Sequence, residues 1–236
     1  MTAPNVTVRI LPDGEALGRA AAEAVAAALA DAAARQDRVT LALAGGSTPR
    51  RLYELLAGPF RDALPWDRLH IFWGDERLVP PDDEASNYAM AREALLRHVP
   101  LPPGQIHPIP TDRPAAAAAY TATLRQTFGD EGPTFDLALL GLGDDGHTAS
   151  LFPGGPLPDA PWAAAVTAPA RYAVRDRITL TLPALCRARR VFFLVSGEEK
   201  RAALHRVLDD ADPTLPATHV RARETVTWFV DQAAAG

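Results

Sequence analysis

An aspartate two residues before a histidine, on a loop shaped by glycines, is a pairing that moves protons. The carboxylate orients the imidazole and stabilises its charged form, while the ring serves in turn as base and acid. Asp145 and His147 make such a pair within FDLALLGLGDDGHTASLFP, residues 135–153. An apolar run stops there abruptly at glycines, two aspartates and the histidine. The run reads as a central parallel strand, and in open α/β sheets ligands collect beyond the carboxyl ends of such strands. His70, His98, His107, His205 and His219 have no carboxylate partner at a strand end. A lone loop histidine would be no more than solvent-exposed, so the pairing with Asp145 carries the reading.

Three further stretches follow strand-like runs. Gly45, Gly46, Ser47, Thr48 and Pro49 lie between a strand and a helix. They read as a helix start, with Thr48 as N-cap and Pro49 at the first helical position. Glycines before a helix N-terminus also expose backbone N–H groups at the positive end of the dipole, so the same residues are a candidate phosphate seat. Trp73, Gly74, Asp75, Glu76 and Arg77 read either as a solvated turn with an internal ion pair or as acids and a cationic clamp at the sheet edge. Ser196 to Arg201, SGEEKR, opens a helix and contains Lys200, where a surface helix turn is the plainer alternative. All 24 cationic side chains except Lys200 are arginine, which singles that lysine out. Arg177, just before another strand, is a candidate second cation.

Residues 141–146, GLGDDG, formally match the dinucleotide fingerprint GxGxxG. The fingerprint needs a helix immediately afterwards, whereas residues 149–161 carry four prolines and two glycines. Two aspartates in the loop would also repel a pyrophosphate. There is no GxSxG elbow, no HExxH and no Walker lysine after GGSTP. Asp82, Asp83 and Glu84 read as solvated loop acids rather than metal ligands, so no metal is expected.

The elements that must position these residues alternate between strand and helix. Strands are expected at 6–11, 39–44, 69–73, near 106, and at 135–142, 163–167, 178–181, 191–195 and 226–230. Helices are expected at 15–34, with Asp13 as cap, and at 49–56, 87–97, 114–128 and 197–208. Such alternation implies an α/β fold with a mainly parallel, helix-flanked sheet. Residues 1–236 read as one domain, without internal repeats or linkers.

Hydrophobic content of 47% with 22% charged residues places the chain among globular proteins. No apolar run reaches the roughly 18 residues of a membrane helix, and the N-terminus lacks the pattern of a signal peptide. Cys186 is the only cysteine, which excludes an internal disulfide and suits a reducing cytoplasm. A net charge of −5 without a basic face argues against nucleic acid. An anionic substrate would therefore need a local cationic pocket. Oligomeric state stays open, a monomer included.

The segments LAGGSTPRRLYELL, WGDERLVPPDDEASNY, LLGLGDDGHTASLFP, RITLTLP and VSGEEKRAAL, in this order and spacing, closely resemble the 6-phosphogluconolactonase family. The resemblance spans nearly the whole chain and implies a Rossmann-like three-layer α/β/α sandwich. It implies hydrolysis of 6-phosphoglucono-δ-lactone to 6-phosphogluconate in the oxidative pentose phosphate pathway, without a required cofactor. By the same resemblance His147 matches the acid/base histidine and Asp145 the acid beside it, with Asp75 either acting or supporting its loop. Gly45, Gly46, Ser47, Thr48 and Lys200 match phosphate-binding positions, and Arg77 and Arg177 lie in motifs that face the ligand. The related glucosamine-6-phosphate deaminases resemble DGHxAFNEP in the histidine loop, with a glutamate five residues after the histidine, where this chain has Phe152. A non-catalytic sugar-phosphate sensor on the same scaffold is disfavoured by the intact pair, and ribose-5-phosphate isomerase by the absence of a DGADE-type motif.

Overall fold

A computed structural model describes residues 5–113, 115–155 and 157–236. Met1, Thr2, Ala3 and Pro4 of the N-terminus lie outside the described residues. So do Pro114, the expected start of one helix, and Pro156, one of the prolines set against a nucleotide-binding helix. The strands are β1 (Asn5–Leu11), β2 (Val39–Leu43), β3 (Leu69–Trp73), β4 (Asp75–Arg77), β5 (Leu137–Gly141), β6 (Ala163–Thr167), β7 (Asp176–Leu180), β8 (Arg190–Val195) and β9 (Thr225–Asp231). The helices are α1 (Gly14–Ala33), α2 (Ser47–Ala57), α3 (Asn87–Ala94), α4 (Ala116–Phe128), α5 (Leu182–Leu185), α6 (Arg201–Leu208) and α7 (Gln232–Ala235).

Six strands form one parallel sheet in the order β1-β9-β8-β5-β2-β3, the middle layer of an α/β/α sandwich. β2, with the sequence VTLAL, is buried at every residue, as expected of a strand covered on both faces. The chain winds from β2 outward to β3, then returns to β5 and winds the other way through β8 to β9. Direction therefore reverses between β2 and β5, where a doubly wound sheet opens a crevice. The β2–β5 ladder is correspondingly short, pairing only Leu41 with Leu137 and Ala42 with Ala138.

The remaining strands correct the sequence reading. β6 and β7 do not join the parallel sheet. They form a separate antiparallel sheet in the order β4-β7-β6, with β4 made from residues expected to be a turn. Asp75 and Glu76 are buried rather than solvated, and Arg77 lies directly opposite Arg177 in the ladder. Helix α2 begins at Ser47, not Pro49, and Gly46 rather than Thr48 is its N-cap. Gly46 has φ +109°, a conformation that side chains disfavour. Helix α3 stops at Ala94, short of the expected Arg97, and continues as a 3-10 turn, Leu96–His98. The expected strand near residue 106 is a single bridge between Ile106 and Ile71. The expected helix from Gly197 starts instead as a 3-10 turn, Glu198–Lys200, ahead of α6. As expected, Asp13 caps α1, accepting from Ala16 N at 2.8 Å.

Two buried tyrosines hold strand ends where the chain turns into the crevice. Tyr53 of α2 donates to the Ala44 carbonyl at 2.7 Å and accepts from Ala44 N at 3.0 Å, just after β2. Tyr120 of α4 does the same at the end of β3, donating to Trp73 O at 2.8 Å and accepting from Trp73 N at 3.0 Å. Tyr120→Phe would leave two backbone groups without this partner at a fully buried position. It is expected to destabilise the fold by about 1–3 kcal/mol. Urea unfolding would show the loss as a lower midpoint with unchanged slope, and an unchanged midpoint would refute it.

Candidate active site

A cleft of about 190 Å³ opens at the switch point between β2 and β5. Gly45, Gly46, Ser47, Thr48, Asp75, Arg77, His147, Arg177 and Lys200 line it, whereas Asp145 and Glu76 do not. Three loops meet there. Residues 45–48 follow β2, residues 142–149 follow β5, and Ser196 leads from β8 to Lys200. The β4 and β7 strands close the wall with Asp75, Arg77 and Arg177.

His147 is positioned by its own loop. Its backbone N–H donates to Asp145 Oδ1 at 3.0 Å, and its ring Nδ1 lies 2.6 Å from the same oxygen. Because the carboxylate can only accept, the neutral ring carries its proton on Nδ1, leaving Nε2 as the basic nitrogen. Gly143 N donates to the His147 carbonyl at 2.8 Å, drawing the loop back on itself. A Cβ at Gly143 would lie 1.9 Å from His147 Nδ1, so only glycine admits the ring here. No helix follows. Instead Thr148 and Leu151 close a tight turn, with Leu151 N donating to the Thr148 carbonyl at 2.9 Å. The nucleotide fingerprint thus lacks its helix in the structure as well.

Asp145 is the dyad member that does not line the cleft. Burial acts to raise its pKa but is outweighed by the hydrogen bonds from the His147 ring and backbone, with the charges of His147 and Arg171 adding to them. The carboxyl is held well below the usual range and stays ionised at any physiological pH. Asp75 has both oxygens engaged: Oδ2 accepts from Ser150 Oγ at 2.6 Å, and Oδ1 from Asn87 Nδ2 at 3.2 Å. It therefore ties β4 and α3 to the turn after His147. Next to it, Glu76 accepts from the backbone of Asn87 and Tyr88, both at 2.7 Å, securing the start of α3.

The rest of the cleft is cationic. Arg77 and Arg177 are neighbours in the β4–β7 ladder, and among the described residues neither has a carboxylate within ion-pair distance. Arg77 donates to the Ala85 carbonyl at 2.6 Å, and its buried Nε has no partner. Burial, and after it the charge of Arg77, lowers the pKa of Arg177. Lys200 is mostly shielded, with its nearest carboxylate, Glu199, 3.9 Å away. Among the described residues the N–H groups of Gly45, Gly46, Ser47 and Thr48 have no acceptor in the protein. These are the free donors of a helix N-terminus. An anion entering the cleft would meet both these donors and the positive charges of Arg77, Arg177 and Lys200, none of them in a close ion pair among the described residues.

Sequence reasoning missed Asn87, Ser150, Arg171 and Tyr172. Asn87 opens α3 inside one of the quoted segments, so its place at a helix start was a usable signal. Tyr172 bonds the dyad across 25 residues of chain from a loop without periodicity, and nothing local marks it.

A parallel sheet with a hydrogen-bonded carboxylate–imidazole pair and a cleft lined by cations and free amides at its switch point places the chain among the α/β proteins of doubly wound type, whose ligands bind in that crevice. The chain belongs to the family of glucosamine-6-phosphate isomerases and 6-phosphogluconolactonases, whose sequence profile matches residues 12–228. A 6-phosphogluconolactonase of Synechocystis is 42% identical over 246 residues, covering 98% of this chain and 97% of that one. One from Mycobacterium tuberculosis is 38% identical over 241 residues, covering 97% of each. The crystal structure of 6-phosphogluconolactonase from Thermotoga maritima superposes with a TM-score of 0.85 at 33% identity, covering 97% of this chain and 100% of that one.

Proposed function

We propose that the chain hydrolyses 6-phospho-D-glucono-1,5-lactone to 6-phospho-D-gluconate, the second step of the oxidative pentose phosphate pathway. The observation that carries this reading is the meeting, in one cleft, of His147, held by Asp145, with Lys200, the arginine pair and the free amides of residues 45–48. A δ-lactone is already an activated ester, so it asks for positioning and two proton transfers. His147 Nε2 takes a proton from water as the water oxygen adds to C1, and the carbonyl becomes an oxyanion. Collapse of the tetrahedral intermediate breaks the bond between C1 and the ring oxygen, and the imidazolium returns its proton to that oxygen. The carboxylic acid so formed loses its proton to solvent. Asp145 orients the ring and offsets its transient charge. Asp75, with both oxygens occupied by Ser150 and Asn87, supports the histidine loop.

The phosphate, remote from the reacting bond, supplies binding energy that fixes the carbonyl near the water. Lys200 and the amides of Gly45, Gly46, Ser47 and Thr48 receive it, and Arg77 and Arg177 carry the remaining counter-charge. No step calls on a cofactor or a metal. Among the described residues no helix is long and apolar enough to cross a membrane, and the lone Cys186 suits a cytoplasmic setting. The deciding measurement is a lactonase assay with freshly generated 6-phosphogluconolactone, corrected for spontaneous hydrolysis. A rate no greater than that background would overturn the reading.

Phe152 stands where the deaminase pattern has glutamate, and its ring packs against His147 at 5.0 Å between centroids. An apolar ring cannot take the part of a carboxylate that assists ring opening. The chain is accordingly expected to release no measurable ammonia from glucosamine 6-phosphate. Turnover on the order of 1 s⁻¹, ordinary for an enzyme, would favour the deaminase instead.

A further inference from the structure

The loop between β6 and β7 reaches the dyad from outside the residues assigned above. Its ends are tied by Ala168 N donating to the Arg175 carbonyl at 2.8 Å and by Arg175 Nε donating to the Ala168 carbonyl at 3.0 Å. At its tip, Arg171 NH2 lies 2.6 Å from Asp145 Oδ2 and 3.1 Å from Asp144 Oδ1. The Tyr172 hydroxyl lies 3.2 Å from Asp145 Oδ2 and 3.1 Å from His147 Nδ1, and accepts from Arg171 NH2 at 2.9 Å. A phenol has one proton to give. Arg171 offers no lone pair and Nδ1 carries a proton, so the hydroxyl donates to Asp145. The Tyr172 ring stands edge-on to the His147 ring, 5.6 Å between centroids at 88°.

This arrangement has an electrostatic consequence. A carboxylate 2.6 Å from an imidazole stabilises the imidazolium, and an imidazolium cannot accept a proton from water. Arg171 and the Tyr172 hydroxyl draw on the opposite oxygen of the same carboxylate and counter that pull. We propose that Arg171 and Tyr172 are positioning residues that hold Asp145 and weaken its stabilisation of the protonated His147 ring. This inference rests on the acid/base role given to His147 above. The other charged groups near the ring are Asp144, which pairs with Arg171, and Asp75, Arg77, Arg177 and Lys200 along the cleft. Among the described residues, the side chains of Arg171 and Tyr172 are the ones that bond Asp145 from outside its own loop. Arg171 is about half exposed, so its contribution is open to screening by salt.

The test is an NMR titration of the His147 ring in the free protein, its signal assigned by its loss in His147→Ala. Arg171→Ala and Tyr172→Phe are each expected to raise the His147 midpoint by roughly half a pH unit, the scale of one solvent-screened interaction. Arg171→Lys keeps the charge and should stay near the wild-type midpoint. In parallel, kcat on the lactone at pH 6.5 should fall about two-fold or more in the two shifted variants, with KM changed less. Arg171 is exposed and Tyr172→Phe keeps the ring, so both variants should fold. A His147 midpoint unmoved in Arg171→Ala, or moved equally in Arg171→Lys, would overturn the proposal. Full lactonase activity in His147→Ala would overturn instead the function on which it rests, whatever the titration gives.

Discussion

His147→Ala is expected to lose most of the protein-dependent hydrolysis of 6-phosphogluconolactone, about 10²- to 10⁴-fold in kcat, the usual cost of a missing general acid/base. In the proposed mechanism the single ring serves both proton transfers, so its removal would disable water activation and departure of the ring oxygen together. Binding should persist, because the cations and amides of the cleft are untouched and lie on other loops. The fold should persist too. Among the described residues the ring's hydrogen bonds run only to Asp145 and Tyr172, and a part-exposed side chain is removed rather than a core one. The measurement is initial rate against substrate concentration with the spontaneous rate subtracted, alongside thermal unfolding of the variant. Near-wild-type kcat would take His147 out of the mechanism. A collapse of thermal stability matching the loss of rate would assign it a structural role instead.

The site was legible in the sequence to the extent that it is built from strand ends. Parallel strands covered on both faces announce themselves as apolar runs, and polar or glycine residues just past such runs fall at the carboxyl edge of the sheet. Residues 45–48, His147 and Lys200 were found in that way, each beyond a strand of the six-stranded sheet. What local pattern does not carry is which strands share a sheet. β4 is three residues long and includes two acids and an arginine, so it has no apolar run to read. It exists because β7 supplies its hydrogen bonds and the carboxylates find donors in α3, Ser150 and the neighbouring backbone. The same pairing sets Arg77 beside Arg177, a juxtaposition that spacing in the chain could not reveal. Tyr172 was missed for a related reason, as its partners are defined only once the β6–β7 loop folds over the dyad. The start of α2 was misread by two residues because Thr48 and Pro49 form a plausible capping pair. Gly46, with its left-handed φ, begins the helix earlier and frees the amides of Ser47 and Thr48 for the cleft.

Lys200→Ala is expected to lower kcat/KM on the phosphorylated lactone by about 10- to 150-fold, the equivalent of a charge-assisted hydrogen bond of roughly 1.5–3 kcal/mol. The lysine sits on the 3-10 turn Glu198–Lys200, just beyond β8, where Gly197 at φ +105° redirects the chain toward the cleft. Its ammonium is mostly shielded and at 3.9 Å from Glu199 is only loosely paired, so an incoming phosphate need not break a strong ion pair to reach it. In a chain that otherwise uses arginine for every cation, a lysine here fits a seat that takes a compact ammonium rather than a planar fork. Lys200→Arg should therefore also lose activity despite keeping the charge. Unphosphorylated gluconolactone separates binding from chemistry, since its slow hydrolysis should be nearly indifferent to either substitution. Equal damage to both lactones, or damage to neither, would mean that the phosphate is held elsewhere. Arg77 and Arg177, which line the same cleft and among the described residues have no carboxylate within ion-pair distance, would then be the groups to substitute next.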